Sequence, residues 1–364
     1  MKVVIACGGT GGHLFPGLAV AEVLQKRGHQ VMVLISEKKI DALAVRDHTG
    51  QFRFEKIPGI GMPRWYTLAM LGFLGGFAVG LGRCLRLYRD FKPDAVLGMG
   101  GFTSTAPILA GRLLGLPTFV HESNAIPGKA NRINARLAGH VLLGFAECAR
   151  HFPKSAHCEV TGTPIRASLR ERLDPAAARG LFGLDAEGRM TLLVMGGSQG
   201  AHGLNRAITA ALPAFAARLQ VIHLTGRDDE AEVRAAYANA GVQAWVGAFY
   251  HRMQEAYSAA DFAVARSGAA SLCELAHFAL PSILIPFPAA AEDHQTRNAE
   301  IFTAGGAAVA LPEREAGDGR LGALISGFLD DPARLAAMSE AARRLAPPDA
   351  ALLLVETMEK HPRR

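Results

Sequence analysis

Apolar residues along the chain fall in short unbroken runs, each closed by glycine and followed by a stretch of helical spacing. Val3–Cys7 is the first run. Gly8-Gly9-Thr10-Gly11-Gly12-His13 closes it, and Pro16 through Arg27 carries helical periodicity up to Gly28. Runs of β-branched and aliphatic residues without polar alternation mark strands covered on both faces. Gln30–Ser36, Ala95–Leu97 and Thr118–His121 repeat the pattern. It restarts at Thr191–Met195, closed by Gly196-Gly197-Ser198-Gln199-Gly200 and followed by helical Leu204–Phe215. Gln220–Leu224, Ala244–Val246, Phe262–Ala265 and Ile283–Ile285 read as further strands. Strands alternating with helices predict parallel sheets. Two strand–glycine-loop–helix openings predict two separate doubly wound α/β domains. The join is expected at Thr161-Gly162-Thr163-Pro164, where a proline after a glycine turn suits a hinge.

One segment breaks the rhythm. Trp65–Gly82 carries no charge, is near the lower length limit for a spanning helix, and is interrupted by five glycines. Between 56 and 92 stand Lys56, Arg64, Arg83, Arg86, Arg89 and Lys92 against Asp90 alone. Three readings compete: a buried helix of the first domain, an apolar surface element rimmed with arginine that meets a membrane, and a true span. A span is disfavoured because it would put half of a domain across the bilayer.

Bulk properties narrow the partners. A chain of 364 residues, 49% hydrophobic and 20% charged, fits two domains with cores of their own. Disorder is expected only for the last few residues, ending His361-Pro362-Arg363-Arg364. A formal charge of +6 and a pI near 9.2 suit a phosphorylated ligand, an anionic membrane surface or nucleic acid. No basic run interleaved with aromatics appears, so nucleic acid is not expected. The five cysteines are scattered without metal or redox spacing, which predicts free thiols in a reducing compartment, the cytoplasm.

The glycine loops carry the candidate chemistry. Each brings backbone close to a ligand ahead of a helix whose first amides are unpaired, an arrangement that favours phosphate. The dinucleotide fingerprint fails, because Leu14 stands where its third glycine belongs, and no nucleotide P-loop motif occurs. His13 at a helix N-terminus feels the positive end of the dipole, which favours a neutral imidazole able to take a proton from an attacking hydroxyl. A ring bonded only to loop carbonyls is the alternative at that position. Arg266-Ser267-Gly268-Ala269-Ala270-Ser271 offers a third anion site, with Glu274 on the following helix as an acceptor for ribose hydroxyls. Asp293-His294-Gln295 with Asn298 suits sugar recognition. No D-x-D occurs, so a metal-bridged diphosphate is not indicated. Leaving-group charge would then fall to helix amides and Arg166.

Taken together, these motifs resemble glycosyltransferase family 28, and within it the peptidoglycan N-acetylglucosaminyltransferases. The residues that carry the resemblance span nearly the whole chain. They are Gly8 to His13 with Pro16-Gly17-Leu18-Ala19, Gly100-Gly101-Phe102, His121-Glu122-Ser123-Asn124-Ala125, and Thr161-Gly162-Thr163-Pro164-Ile165-Arg166. Gly196 to Ala201, Arg266-Ser267-Gly268-Ala269 with Glu274, and Asp293-His294-Gln295-Thr296 with Asn298 complete the set.

The resemblance implies a GT-B fold: two Rossmann-like domains facing across a cleft. An acceptor- and membrane-associated domain would cover 1–163, with the last helix, within 345–364, packing back on it. A UDP-GlcNAc-binding domain would cover 164–344. It further implies inverting transfer of N-acetylglucosamine from UDP-GlcNAc to lipid I at the cytoplasmic side of the inner membrane, with no cofactor. Cell-wall synthesis and division proteins are implied as candidate partners. In residue terms, His13 is the implied base. Thr10, Gly11, Gly12 and Asn124 would face the donor sugar or acceptor. Arg166 and Ser198 would sit by the UDP, and the Tyr250 backbone would read the uracil. Ala269, Ala270, Ser271, Leu272, Cys273 and Glu274 would line the diphosphate and ribose, and Gln295 would hold sugar hydroxyls.

Four positions depart from the family pattern: Ser123 for a usual glutamine, Thr163 for asparagine, Tyr250 for isoleucine, and His294 where some members carry glutamine. Two other classes compete. A nicotinamide-dependent oxidoreductase would use Glu37 as its ribose acceptor. A non-catalytic UDP-sugar-binding module would leave His13 and the apolar-basic segment without a role.

Overall fold

The computed structural model describes residues 1–37, 50–59, 61, 63, 66, 67, 69–197 and 200–362. They form two compact units, Met1–Arg166 with Pro348–Arg364, and Ala167–Pro347.

The first unit is built on a parallel sheet of β1 (Lys2–Ala6), β2 (Gln30–Ile35), β3 (Arg53–Lys56), β4 (Ala95–Gly98), β5 (Thr118–Glu122), β6 (His140–Leu143) and β7 (His157–Val160). Their spatial order is β3-β2-β1-β4-β5-β6-β7. The register sets Ile5 beside Val33 and Leu97. Alternation along β1 explains why every residue of its run is apolar. Val3 and Ile5 point to one face, into a core with Leu14, Leu18 and Leu24 of the helix Gly11–Lys26. Val4 and Ala6 point to the other, against Cys84 and Tyr88 of the helix Ala69–Phe91. The helix Ala350–Lys360 joins the first of these cores through Leu354, Val355 and Met358. Each is fully buried, a gain of about 1.5–3 kcal/mol per side chain. Glu359 completes the attachment, accepting from Arg27 at 2.8 Å and lying 2.7 Å from a His29 ring nitrogen.

The second unit repeats the plan with β8 (Met190–Met195), β9 (Leu219–Leu224), β10 (Ala244–Gly247), β11 (Phe262–Ala265), β12 (Ser282–Leu284) and β13 (Ala308–Ala310), in the order β10-β9-β8-β11-β12-β13. All its pairings are parallel. The strand runs read from the sequence appear within a residue or two; of the helices, the one read from Pro16 begins at Gly11, and Leu204–Phe215 divides into the helix His202–Ala211 and a 3₁₀ turn Leu212–Phe215. Pro213 at the start of the second piece explains the division.

The buried-helix reading of 65–82 is overturned. Trp65 and Leu68 lie outside the described residues and Tyr66 and Thr67 form a turn, but 69–82 enters the helix Ala69–Phe91, the one helix among the described residues long and apolar enough to cross a membrane. Only 11% of its most apolar window is buried. Leu71, Leu74 and Val79 are 69%, 53% and 65% exposed, while Gly80, Cys84 and Tyr88 alone are buried. The helix packs on the sheet through its second half and leaves the first half uncovered.

One close approach fixes the helix Gly11–Lys26 on β1. A Cβ at Gly17 would lie 2.4 Å from Cys7 Cβ. Alanine would gain about 1 kcal/mol of helix propensity but force the helix off the strand end, which costs about 1–3 kcal/mol. Gly17→Ala is therefore expected to lower the urea midpoint of unfolding; an unchanged midpoint would mean that the helix shifts freely.

Candidate active site

In each unit the strand order reverses at the centre, between β1 and β4 and between β8 and β11. Loops leaving the carboxyl ends of such a pair diverge to opposite faces and open a crevice, which is where doubly wound sheets take ligands. Both glycine loops sit there. Gly8 to Thr10 follow β1, and Gly196 to Gly200 follow β8.

In the first unit the helix begins earlier than its spacing suggested. Gly11, Gly12 and His13 form its first turn, with Thr10 as N-cap and no side-chain cap. No side chain caps that turn, and the His13 amide donates to the Thr10 carbonyl at 3.2 Å, so the Gly11 and Gly12 amides are the ones a ligand could meet. Thr10 and Gly12 are exposed, and Gly11 and His13 half-buried. Thr10 Oγ1 lies 3.1 Å from His13 Nδ1. The imidazole rests on the loop after β4. A Cβ at Gly100, whose φ is +112°, would come within 3.0 Å of His13 Nε2, so only glycine admits the ring there. Thr103 and Ser104 tie the two loops together, their hydroxyls donating to the Gly8 and Ala6 carbonyls at 3.0 and 3.1 Å.

Asn124 follows β5 and is held by Glu122. That buried carboxylate accepts from the Asn124 amide and side chain at 2.9 and 3.0 Å, from the Gly128 amide at 3.1 Å and from Asn131 at 2.9 Å. Burial pushes the Glu122 carboxyl up, and these donors oppose it. Glu122 carried no role in the sequence reading beyond its motif, yet it shapes the loop that presents Asn124. Arg166 lies in this same unit, with its guanidinium 4.6 Å from the Phe15 ring, two residues past His13.

In the second unit, Ser198 and its neighbour Gln199 lie outside the described residues. Gly200, the next described residue, has φ +77°, and a Cβ there would meet the Thr225 carbonyl at 2.2 Å. Asn205 holds that carbonyl at 2.9 Å, and the buried His223 lies 3.0 Å from Asn205 Oδ1 and 2.8 Å from the Tyr237 hydroxyl.

Beside this loop the helix Ala269–His277 starts after β11 with Gly268 as N-cap and no side-chain cap. Ala270, Ser271 and Glu274 are half-buried on its accessible side, and Ala269 is buried. Leu272 and Cys273 are 0% and 3% exposed. Their side chains belong to the core, so only backbone could serve a ligand at those two positions. Glu274 is fixed by Tyr257, whose hydroxyl donates to Oε2 at 2.6 Å. Arg266 is not free to bind an anion. It is buried, donates to the Ile285 and Pro286 carbonyls at 3.0 and 3.1 Å, and pairs with Glu313. The third anion site thus reduces to the helix amides.

Gln295 lies in the first turn of the helix His294–Ala304 after β12, its Oε1 accepting from the Phe287 amide at 2.9 Å. Ser267 donates to the Gln295 carbonyl at 2.8 Å, and Asn298 to the Ser267 carbonyl at 3.1 Å. Just before them Glu292 and Asp293 both hold left-handed φ, +56° and +53°, a strained pair of the kind that surrounding structure must enforce. His294 turns its Nδ1 to the Ala291 carbonyl at 2.6 Å. Tyr250 follows β10, in an aromatic cluster with Phe182 and Trp245, and donates its hydroxyl to Glu255. Burial and that carboxylate raise the Tyr250 phenol to about 12.

Two doubly wound units, each with a glycine loop and bare helix amides at its reversal, have known counterparts. Sequence models of the glycosyltransferase family 28 N-terminal and C-terminal domains match residues 3–143 and 191–354. Fold and site together therefore define a GT-B glycosyltransferase. A relative from Geobacter sulfurreducens is 41% identical over 98% of both chains, and one from Halorhodospira halophila is 42% identical over 96% of this chain and 95% of its own. Both are named UDP-N-acetylglucosamine--N-acetylmuramyl-(pentapeptide) pyrophosphoryl-undecaprenol N-acetylglucosamine transferase. The crystal structure of Acinetobacter baumannii MurG is similar over 99% of both chains, with a TM-score of 0.79 at 29% identity. A UDP-GlcNAc 2-epimerase from Neisseria meningitidis shares the fold, with a TM-score of 0.71 at 15% identity over 99% of this chain and 100% of its own. The chain belongs to the MurG family of glycosyltransferases. The oxidoreductase reading is thereby set aside.

Two buried histidines make this scaffold acid-sensitive. Burial lowers the His121 imidazole to about 4 and the His223 imidazole to about 3. As pH falls below about 6.5 the unfolded chain takes up protons that the folded chain refuses, so stability is complete above that pH and declines below it. The slope is roughly 1.4 kcal/mol per pH unit for each histidine down to its folded value. Urea unfolding between pH 7 and 4 should show this decline, and a flat midpoint would mean that neither imidazole is held neutral.

Proposed function

We propose that this chain transfers N-acetylglucosamine from UDP-GlcNAc to the C4 hydroxyl of undecaprenyl-diphosphate-linked N-acetylmuramyl-pentapeptide (lipid I), with inversion, giving lipid II. The observation that carries the reading is identity of 41% over 98% of both chains to a relative named for this transfer. In the proposed step His13 takes the proton of the acceptor hydroxyl as it attacks the anomeric carbon. Thr10, Gly11, Gly12 and Asn124 contact acceptor or sugar. UDP leaves against the amides that open the helix Ala269–His277, the loop holding Ser198, and Arg166. Glu274 accepts from the ribose hydroxyls, Gln295 holds the transferred sugar, and the backbone at Tyr250 meets the uracil.

We further propose a peripheral seat on the cytoplasmic side of the inner membrane. The uncovered first half of the helix Ala69–Phe91 supports it, with Leu71, Leu74 and Val79 exposed ahead of Arg83, Arg86 and Arg89. Such an apolar face rimmed with arginine suits an anionic lipid surface that also holds the acceptor. Contacts with cell-wall synthesis and division proteins belong to the same proposal.

Radiolabel transfer from UDP-GlcNAc to a short-chain lipid I tests the reaction; no transfer by the pure protein would refute it. His13→Ala is expected to lower turnover with little change in UDP-GlcNAc affinity, because a base acts on the acceptor. Equal loss of donor binding and rate would make His13 a donor ligand instead. Glu274→Ala should weaken UDP binding by about 1–3 kcal/mol in calorimetry. For the membrane seat, Leu71→Ser with Leu74→Ser should reduce sedimentation with anionic vesicles while leaving UDP binding intact. Undiminished sedimentation would move the seat elsewhere.

A further inference from the structure

On the face of the first unit where the chain ends, three side chains from distant parts of the sequence converge. His140 opens β6, Glu159 lies in β7, and His361 directly follows the helix Ala350–Lys360. One ring nitrogen of each histidine and one carboxylate oxygen all lie within 4.8 Å of one another. We propose that His140, Glu159 and His361 form a binding site for a divalent transition-metal ion of the zinc type, which clasps the helix Ala350–Lys360 to the sheet of the first unit.

The geometry follows from the sheet. β6 and β7 pair with His140 opposite His157 and Leu142 opposite Glu159. Residues two apart on a strand share a face, so His140, His157 and Glu159 project together. The helix Ala350–Lys360 covers that face and delivers His361. The His140 and His361 rings stand 4.0 Å apart, and His361 Nε2 is 3.8 Å from Glu159 Oε1. Two imidazoles and a carboxylate are a ligand set that zinc takes readily, with a position left for water or a further donor. The His157 ring, 5.7 Å from that of His140, is the next nitrogen donor on the face. Tetrahedral zinc separates its ligand atoms by roughly 3.3 Å, as bonds near 2.0–2.1 Å require, so modest side-chain rotation closes the set.

Two further features fit a cation here. His140 Nδ1 is shut off from solvent and has no hydrogen-bond partner, a cost that pairing would remove. Thr357 donates to the other oxygen of Glu159 at 3.2 Å, the outer contact that orients a ligating carboxylate. The site is half-exposed, with the side chains of His361 and Glu159 each 41% accessible, so an ion can enter from solvent. It lies apart from His13 and the glycine loops at the carboxyl ends of the strands, because His140 stands at the start of its strand. Its expected role is therefore to hold the helix Ala350–Lys360 on the sheet, not to bridge a diphosphate.

The test uses the full-length, untagged chain stripped of metal. Calorimetry should show saturable binding of one Zn²⁺ per chain, Co²⁺ should give the visible absorption of a tetrahedral centre, and Zn²⁺ should raise the thermal midpoint. Mg²⁺ should do none of these. His361→Ala is the decisive variant, since it alters only the end of a helix; His140→Ala, packed on Phe119, is its companion. Each should weaken Zn²⁺ binding by at least about tenfold and abolish the midpoint shift. Absence of saturable binding at micromolar Zn²⁺, or binding unchanged in His361→Ala, overturns the proposal. Neither result bears on sugar transfer, which the lipid I assay reads separately.

Discussion

The first amides of a helix have no partners inside that helix, and a parallel sheet gathers all such helix starts along one edge. That constraint underlies the candidate site in both units. Where strand order reverses, the two central loops part, and the amides between them face an open crevice instead of a neighbouring loop. Glycine is required there because the backbone must lie closer to its neighbours than a Cβ allows. Gly100 admits the His13 ring, and Gly200 admits the Thr225 carbonyl. The same geometry, used twice, accounts for the two glycine clusters in one chain.

Around each crevice, buried polar groups hold the loops by satisfying one another. Glu122 spends its carboxylate on the turn that presents Asn124. Tyr257 fixes Glu274, and Ser267 with Asn298 fixes the start of the Gln295 helix. Such groups are costly to bury unpaired and rigid once paired. Arg266 belongs with them: its charge is consumed by two carbonyls and Glu313, so it shapes the loop after β11 and does not attract a ligand. The leaving diphosphate in the proposed reaction is therefore left to amide dipoles on this side.

The helix Ala69–Phe91 and the helix Ala350–Lys360 show two opposite uses of apolar residues. The second buries Leu354, Val355 and Met358 in the core it shares with the helix Gly11–Lys26 and is bolted by Glu359. The first buries three residues near its end and leaves Leu71, Leu74 and Val79 in the open. Composition alone does not distinguish them, since both are apolar. What separates them is whether the sheet still has an uncovered face within reach.

Much of the fold was legible in the chain itself, because strands covered on both faces must be apolar throughout and helices on a sheet must carry a repeating stripe. β1, β2, β4, β5 and β8 to β12 announced themselves in this way. β3, β6, β7 and β13 did not: they are short and lie at or near the edges, and the first three mix His140, His157, Glu159 or Arg53 with their apolar residues. The glycine loops, His13 and the family resemblance were likewise local, carried by contiguous motifs. Tertiary structure alone decided that Leu272 and Cys273 point into the core, that Arg266 is already paired, and that Glu122 governs Asn124. It also decided that His361, expected in a disordered end, meets His140 and Glu159 across more than two hundred residues of sequence. The reason is that periodicity records only whether a position faces apolar surroundings, whereas the partner of a polar group is set by which strands and helices become neighbours.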